Sequence, residues 1–272
     1  AAVLLAWWTA PAVSPRPAMA FIVAAPLLAA LAAGLVETVP IALDDNISVP
    51  AAAGAVLWLC SLATAAAWAS NRDGLAANLA PALVVNTVAA GGGWLLRTVR
   101  VSGMLGGWVI GVTVFACLGL EGWALLFLTF FTATVASRLG LKKKALLGIA
   151  EERGGRRGAG NAIANTGLAA VAALAAAATP YHDAALVAFV AALATGGGDT
   201  VASEIGKAWG GKTYLPTTLA AVRPGTPGAV SLEGTAAGIL GALALAAAGA
   251  LLGLIPAWTV WAVVAGAVAG SV

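Results

Sequence analysis

GGGDTVASEIGKAWGGKTYLPTTLAAVRPGTPGAVSLEGTAAG, residues 196–238, joins two apolar runs, 184–201 and 234–255, each about as long as a bilayer-crossing helix. Asp199, Ser203 and Lys207 recur at i, i+4 and i+8, which on a helix sets a carboxylate, a hydroxyl and an ammonium along one face. Glu204 falls on the adjacent face. Gly196, Gly197 and Gly198 either break that helix or let another group approach its backbone. Beyond a loop containing Lys212 and Arg223, a second polar cluster of Ser231, Glu233 and Thr235 stands at the start of the next apolar run. Two helix ends with carboxylates, joined by a basic Gly-rich loop, suit divalent metal and phosphate.

Working outward, the whole chain has the same character. It has 272 residues, of which 61% are hydrophobic and only 9% charged. Its mean hydropathy is +0.96. Soluble domains carry roughly a quarter charged residues, so the composition specifies an integral membrane protein. Apolar runs cover 18–36, 51–70, 75–95, 103–120, 122–141, 161–178, 184–201, 234–255 and 257–272, with a shorter one at 1–13. The expected fold is therefore an all-α polytopic membrane protein of about eight to ten transmembrane helices. A net charge of +3 does not suggest nucleic-acid binding, because the bases cluster in short loops flanking apolar runs. Cys60 and Cys117 lie inside such runs, which argues against a disulfide framework.

The loop 137–160 is the richest in Lys and Arg and is placed in the cytoplasm. Counting crossings from it puts Lys207, Lys212, Arg223, Arg97, Arg100 and the 37–50 loop on that side. Arg72, Asp73, Glu121, His182 and Asp183 fall opposite, at turns. Most charges thus gather at one face, where the active site is expected. Trp residues near helix ends read as interfacial anchors, while Trp209 is placed to wall a nucleotide or lipid pocket.

Two further polar islands carry candidates. In KKKALLGIAEERGGRRGAGNAIAN, residues 142–165, Arg156 and Arg157 sit among glycines before a helix that begins near Asn161 and carries Asn165, a pattern suited to phosphate. Lys142, Lys143 and Lys144 read instead as ordinary charges flanking a helix end. In LVETVPIALDDNISVP, residues 35–50, Glu37, Asp44, Asp45 and Asn46 are candidates because acids near a bilayer are costly unless paired or cation-bound. The competing reading is an interfacial loop in which Asp44 or Asp45 caps the next helix. For Asp199 the competitors are a salt bridge to Lys207 and an amino-terminal cap, and for Glu233 the competitor is helix capping.

The blocks KKKALLGIAEERGGRRGAGN, DTVASEIGKAWGGKTYLPTT and GTPGAVSLEGTAAG, in that order, resemble the integral-membrane prenyl-phosphate kinase family that includes the plant phytyl-phosphate kinase of vitamin E synthesis. D-x-x-A-S-x-x-G-K followed by S-x-E-G-T is distantly similar to dolichol and phytol kinases and to CDP-diacylglycerol synthase. The 35–50 segment is similar to one in phytol and farnesol kinases. The resemblance implies phosphoryl transfer, with CTP as donor and magnesium as cofactor, to an isoprenoid monophosphate such as phytyl phosphate. The product would be a prenyl diphosphate for tocopherol or phylloquinone synthesis.

On this reading Asp199, Glu204, Lys207 and Glu233 are catalytic, and Asp199, Glu204 and Glu233 hold the metal. Arg156, Arg157, Asn161, Asn165, Ser203, Lys212, Ser231 and Thr235 contact nucleotide or phosphate. Residues 1–74 form an N-terminal membrane segment and 75–272 the kinase-like domain. The prenyl tail is expected in a groove walled by 161–178 and 234–255. Cytidylyl transfer, a polyprenol or phytol kinase, and a transporter or flippase are the alternatives. The expected partners are a prenyl phosphate and a nucleoside triphosphate, with no nucleic acid. The oligomeric state, dimer included, is left open. With no Arg- and Ser-rich leader in view, a bacterial plasma membrane is expected ahead of a plastid envelope.

Overall fold

A computed structural model describes residues 2–14, 17–37, 44–149, 158–226 and 228–271. Among these, ten α-helices account for most of the chain: α1 Ala2–Thr9, α2 Met19–Glu37, α3 Asp45–Ser61, α4 Ala65–Leu95, α5 Val101–Arg138, α6 Leu141–Leu146, α7 Ala159–Ala178, α8 His182–Trp209, α9 Leu232–Leu251 and α10 Val260–Gly270. Five of them, α4, α5, α7, α8 and α9, are long and apolar enough to cross a membrane, so the fold is all-α and polytopic. The chain divides into two compact units. One comprises Ala1–Ser70 with Ala178–Pro180, and the other Asn71–Ala177 with Tyr181–Val272.

In the first unit α1 and α3 pack against α2, and Ile22, Ala25 and Ala29 are buried. Asp44 caps α3: its carboxylate accepts from the Asn46 backbone N–H and side-chain amide, both at 2.8 Å. That is the bland alternative for the 35–50 island. Glu37 is exposed at the end of α2. The Asp45 side chain lies outside the described residues.

The two runs 51–70 and 75–95 are divided differently from expectation. The chain turns at 62–64, where Thr64 Oγ1 accepts from the Ala67 N–H, and Arg72 with Asp73 falls inside α4. Both side chains are exposed and pair with each other at 3.3 Å. Charges near a helix end can project outward without ending the helix, which is why N-R-D-G misled as a turn.

α5 is two arms rather than one rod. Gly119 interrupts it at φ 68° and ψ −159°, a conformation reserved in practice for glycine. Gly103 and Ala133 line one cavity, whereas a straight helix would hold them about 45 Å apart. The chain therefore reverses at Gly119, and 103–120 and 122–141 run antiparallel as the apolar pattern requires.

The core of the second unit is built on α8. Phe189, Val190, Leu193 and Ala194 are fully buried against Leu125 of α5, Ala169 and Ala173 of α7, Leu245 and Ala246 of α9, and Val263 of α10. α8 and α9 cross on small residues at i, i+4 and i+8: Gly198, Ala202 and Gly206 meet Gly234, Gly238 and Ala242. A Cβ on Gly238 would lie 2.7 Å from that of Ala202, and one on Gly234 would lie 2.6 Å from the Ala202 carbonyl oxygen. Such contact lets backbones approach closely and pack by dispersion alone. Thus Gly196–Gly198 do not break α8; they admit the Asn165 backbone, the Leu245 side chain and the Gly238 carbonyl.

Candidate functional site

The residues between α8 and α9 are a small antiparallel sheet instead of an open loop. Its strands are β1 Thr213–Tyr214, β2 Ala221–Val222 and β3 Val230–Ser231, in the order β2-β1-β3, with Thr213 opposite both Val222 and Ser231. It returns the chain to α8 so that α9 starts beside the end of α8. Ser231, buried at that start, caps α9 by accepting from the Gly234 N–H at 3.1 Å. Glu233 in the first turn accepts from the Gly211 N–H at 3.2 Å, fastening the hinge that follows α8.

A cavity of about 480 Å³ opens between α8, α9, the end of α10 and this sheet. Asp199, Ser203 and Lys207 line it from one face of α8, and Ser231 and Thr235 from the first turn of α9. Gly225, Thr226, Gly228 and Ala229, with both glycines left-handed, close another side. Its polar wall carries a carboxylate, an ammonium and several hydroxyls, together with the amino end of a twenty-residue helix, which favours anions.

Glu204 does not line this cavity. It is 2% exposed, and its two oxygens take different ammonium groups: Oε2 accepts from Lys144 Nζ, and Oε1 from Lys207 Nζ at 3.0 Å. Lys144, 1% exposed, also donates to the Ser137 carbonyl at 2.9 Å. Lys142 and Lys143 are exposed, as charges flanking a helix should be; Lys144 is the exception that sequence reading missed. Its placement follows from Gly140, whose left-handed φ of 64° turns the chain from α5 into α6. A Cβ at Gly140 would lie 2.6 Å from that of Ala208, so only glycine lets α6 press against α8 here. The same contact brings Trp209 against Gly140, and Trp209 is not part of the cavity wall.

The three carboxylates expected to hold a metal are not grouped in the structure. Among the described residues no three acidic, His or Cys side chains group as ligands. Asp199 faces the cavity, Glu204 is consumed by two lysines, and Glu233 binds a backbone N–H. The competing reading of Asp199 as the salt-bridge partner of Lys207 is not what the structure shows: Lys207 pairs with Glu204. Lys212 is exposed and does not line the cavity. Arg156 and Arg157 lie outside the described residues.

Asn161 and Asn165 belong to a different, apolar cavity of about 140 Å³ bounded by α4, both arms of α5, α7 and Gly196 of α8. Asn86 holds its wall: buried at 4% exposure, it donates to the Ala82 carbonyl and accepts from Trp123 Nε1 at 3.0 Å. Gly107 faces this space with nothing within 4 Å of where its Cβ would stand. Of the two expected groove walls, 161–178 lines this cavity and 234–255 does not.

Comparison with known proteins matches residues 83–272 to a family described as integral membrane protein DUF92. The chain is 45% identical over 150 residues to an uncharacterized membrane protein, sll0875, of Synechocystis, covering 54% of this chain and 58% of that one. It is 36% identical over 165 residues to Protein VTE6, chloroplastic, of Arabidopsis thaliana, covering 59% of this chain and 50% of that one. It is 32% identical over 150 residues to the uncharacterized membrane protein MJ0933 of Methanocaldococcus jannaschii, covering 55% and 61% respectively. The chain thus spans about half to three-fifths of the length of these relatives. No solved structure matches it.

Proposed function

This chain belongs to the DUF92 family of integral membrane proteins, and on that footing we propose that it is a membrane prenyl-phosphate kinase, using CTP to convert an isoprenoid monophosphate such as phytyl phosphate to the diphosphate. The observation that carries the reading is the cavity wall on which Asp199, Ser203 and Lys207 of α8 face the amino end of α9. The chloroplast named for the Arabidopsis relative is compatible with a role in plastid-type lipid quinones; a bacterial plasma membrane remains the site proposed for this chain.

The chemistry asked of such a wall is modest. A phosphate monoester has a second pKa near 6, so the acceptor is already largely anionic at neutral pH and needs no strong general base. One of its oxygens attacks the γ-phosphorus of CTP, the bond from that phosphorus to the β-phosphate oxygen breaks, and CDP leaves. The obstacle is repulsion between anions, and catalysis reduces to positioning and neutralisation. Lys207 and the first turn of α9 face where phosphates would lie. Magnesium, which takes one or two carboxylates and completes its shell with phosphate and water, suits Asp199 with Ser203 better than a three-carboxylate cage. When bound it would screen the charge shared between donor and acceptor. The apolar cavity between α5 and α7 is the proposed seat of the prenyl tail, with Asn161 and Asn165 in its lining.

Purified protein in nanodiscs with magnesium and CTP should turn phytyl, geranylgeranyl or farnesyl phosphate into the diphosphate and release CDP. Release of pyrophosphate would mean cytidylyl transfer, turnover of the free alcohol would mean a polyprenol-type kinase, and no product from any of them would defeat the assignment. Cysteine labelling beside Asp199 from the side opposite the 137–160 loop would favour a transporter.

A further inference from the structure

Lys207, the ammonium of the larger cavity, gives one N–H to Glu204 at 3.0 Å, and its side chain is 30% exposed. By itself that pair is neutral, and with Asp199 beside it the wall would carry net negative charge. Such a wall repels polyphosphate. Lys144 alters the balance: from the buried side it takes the other Glu204 oxygen, while its own side chain is 1% exposed. Lys144, Glu204 and Lys207 together carry one net positive charge, and Asp199 brings the wall to neutrality instead of to a negative value.

We propose that Lys144 is a positioning residue of a phosphate site. By neutralising Glu204 from within the protein, it leaves the positive charge of Lys207 available to the phosphates of a nucleoside triphosphate. The proposal rests on reading this cavity as the phosphate site. It also explains why two charged groups are kept where burial is expensive: the desolvation of Lys144 and Glu204 is offset by their contact and by the Ser137 carbonyl, and the benefit appears at Lys207. A carboxylate shared by two ammonium groups holds the outer one in place without cancelling it.

The competing role for Lys144 is to pin α6 to α8, and the two roles predict opposite results for a double substitution. Full-length protein in nanodiscs is titrated calorimetrically with CTP and, separately, with inorganic pyrophosphate. Lys144→Met should weaken both ligands roughly tenfold, within the range that coupled neighbouring residues show, because Glu204 then cancels Lys207. In turnover the change should fall on the KM for CTP more than on kcat. Lys144→Met combined with Glu204→Gln should regain near-native affinity, since the buried pair leaves together and Lys207 keeps its charge. A double variant as weak as the single, or weaker, overturns the proposal. Where Lys144→Met alone does not fold, the double variant against the native protein decides: native-like pyrophosphate affinity supports the proposal, and a tenfold loss overturns it. Equal binding by native protein and Lys144→Met removes the role of Lys144 alone. Binding of neither probe by the native protein removes the phosphate reading and this proposal with it.

Discussion

Lys144 and Glu204 stand sixty positions apart in sequence and form a buried ion pair between the six-residue α6 and the end of α8. Breaking one side of such a pair strands a charge in the interior. Glu204→Leu is therefore expected to cost roughly 3–5 kcal/mol, whereas Lys144→Met combined with Glu204→Leu should stay close to the native stability. Thermal unfolding in detergent measures both, and a double variant that simply adds the losses of the singles would show that the pair is not coupled.

Asp199 is the one acidic side chain lining the larger cavity among the described residues. Asp199→Asn keeps its size and its place on α8. Turnover should drop by at least about a hundredfold, the scale of losing one electrostatic contact to the transition state. The melting temperature should move little. Full activity in this variant would exclude Asp199 from the reaction.

Gly238 sits where α8 and α9 cross, and a Cβ there would lie 2.7 Å from that of Ala202. Gly238→Leu should destabilise the protein by about 1–3 kcal/mol through overpacking and lower turnover of every chain length alike. Gly107 faces the open apolar cavity instead. Gly107→Leu should leave folding and the KM for CTP intact while shifting preference toward shorter prenyl phosphates. Assays across prenyl lengths separate the two, and an unchanged preference in Gly107→Leu would remove the tail from that cavity.

Gly119 adopts a conformation that a side chain resists, with Glu121 Oε2 3.2 Å from where a Cβ would stand. Gly119→Ala should cost on the order of 1–3 kcal/mol. Gly148, also left-handed but with open space around it, should tolerate alanine better. Detergent melting curves of the two variants provide the comparison.

Much of this arrangement is written plainly in the chain. The apolar runs mark α7, α8, α9 and both arms of α5, because a single apolar segment can satisfy its own backbone in hydrocarbon only as a helix. The i, i+4, i+8 spacing of Asp199, Ser203 and Lys207 puts them on one face, and one cavity receives all three. Lys144 was not legible, since three consecutive lysines look alike until Gly140 fixes the direction in which α6 leaves α5. The sheet of 213–231 was missed because two-residue strands have no periodicity to read. Glu204 was misjudged for a related reason: a carboxylate near a site signals metal or ion pair equally, and only the distant lysine decides.

The reversal at Gly119 also bears on how the protein is made. Two antiparallel arms of one helical hairpin can enter a bilayer as a single object, each covering part of the other before any later helix exists. What has to be carried across is then the tip, where Glu121 is exposed and is the sole charged residue between Val101 and Ser137. The barrier to insertion is concentrated at one side chain. The reversal leaves both ends of the hairpin on one side, so α6 and its buried lysine follow on the side from which α5 began.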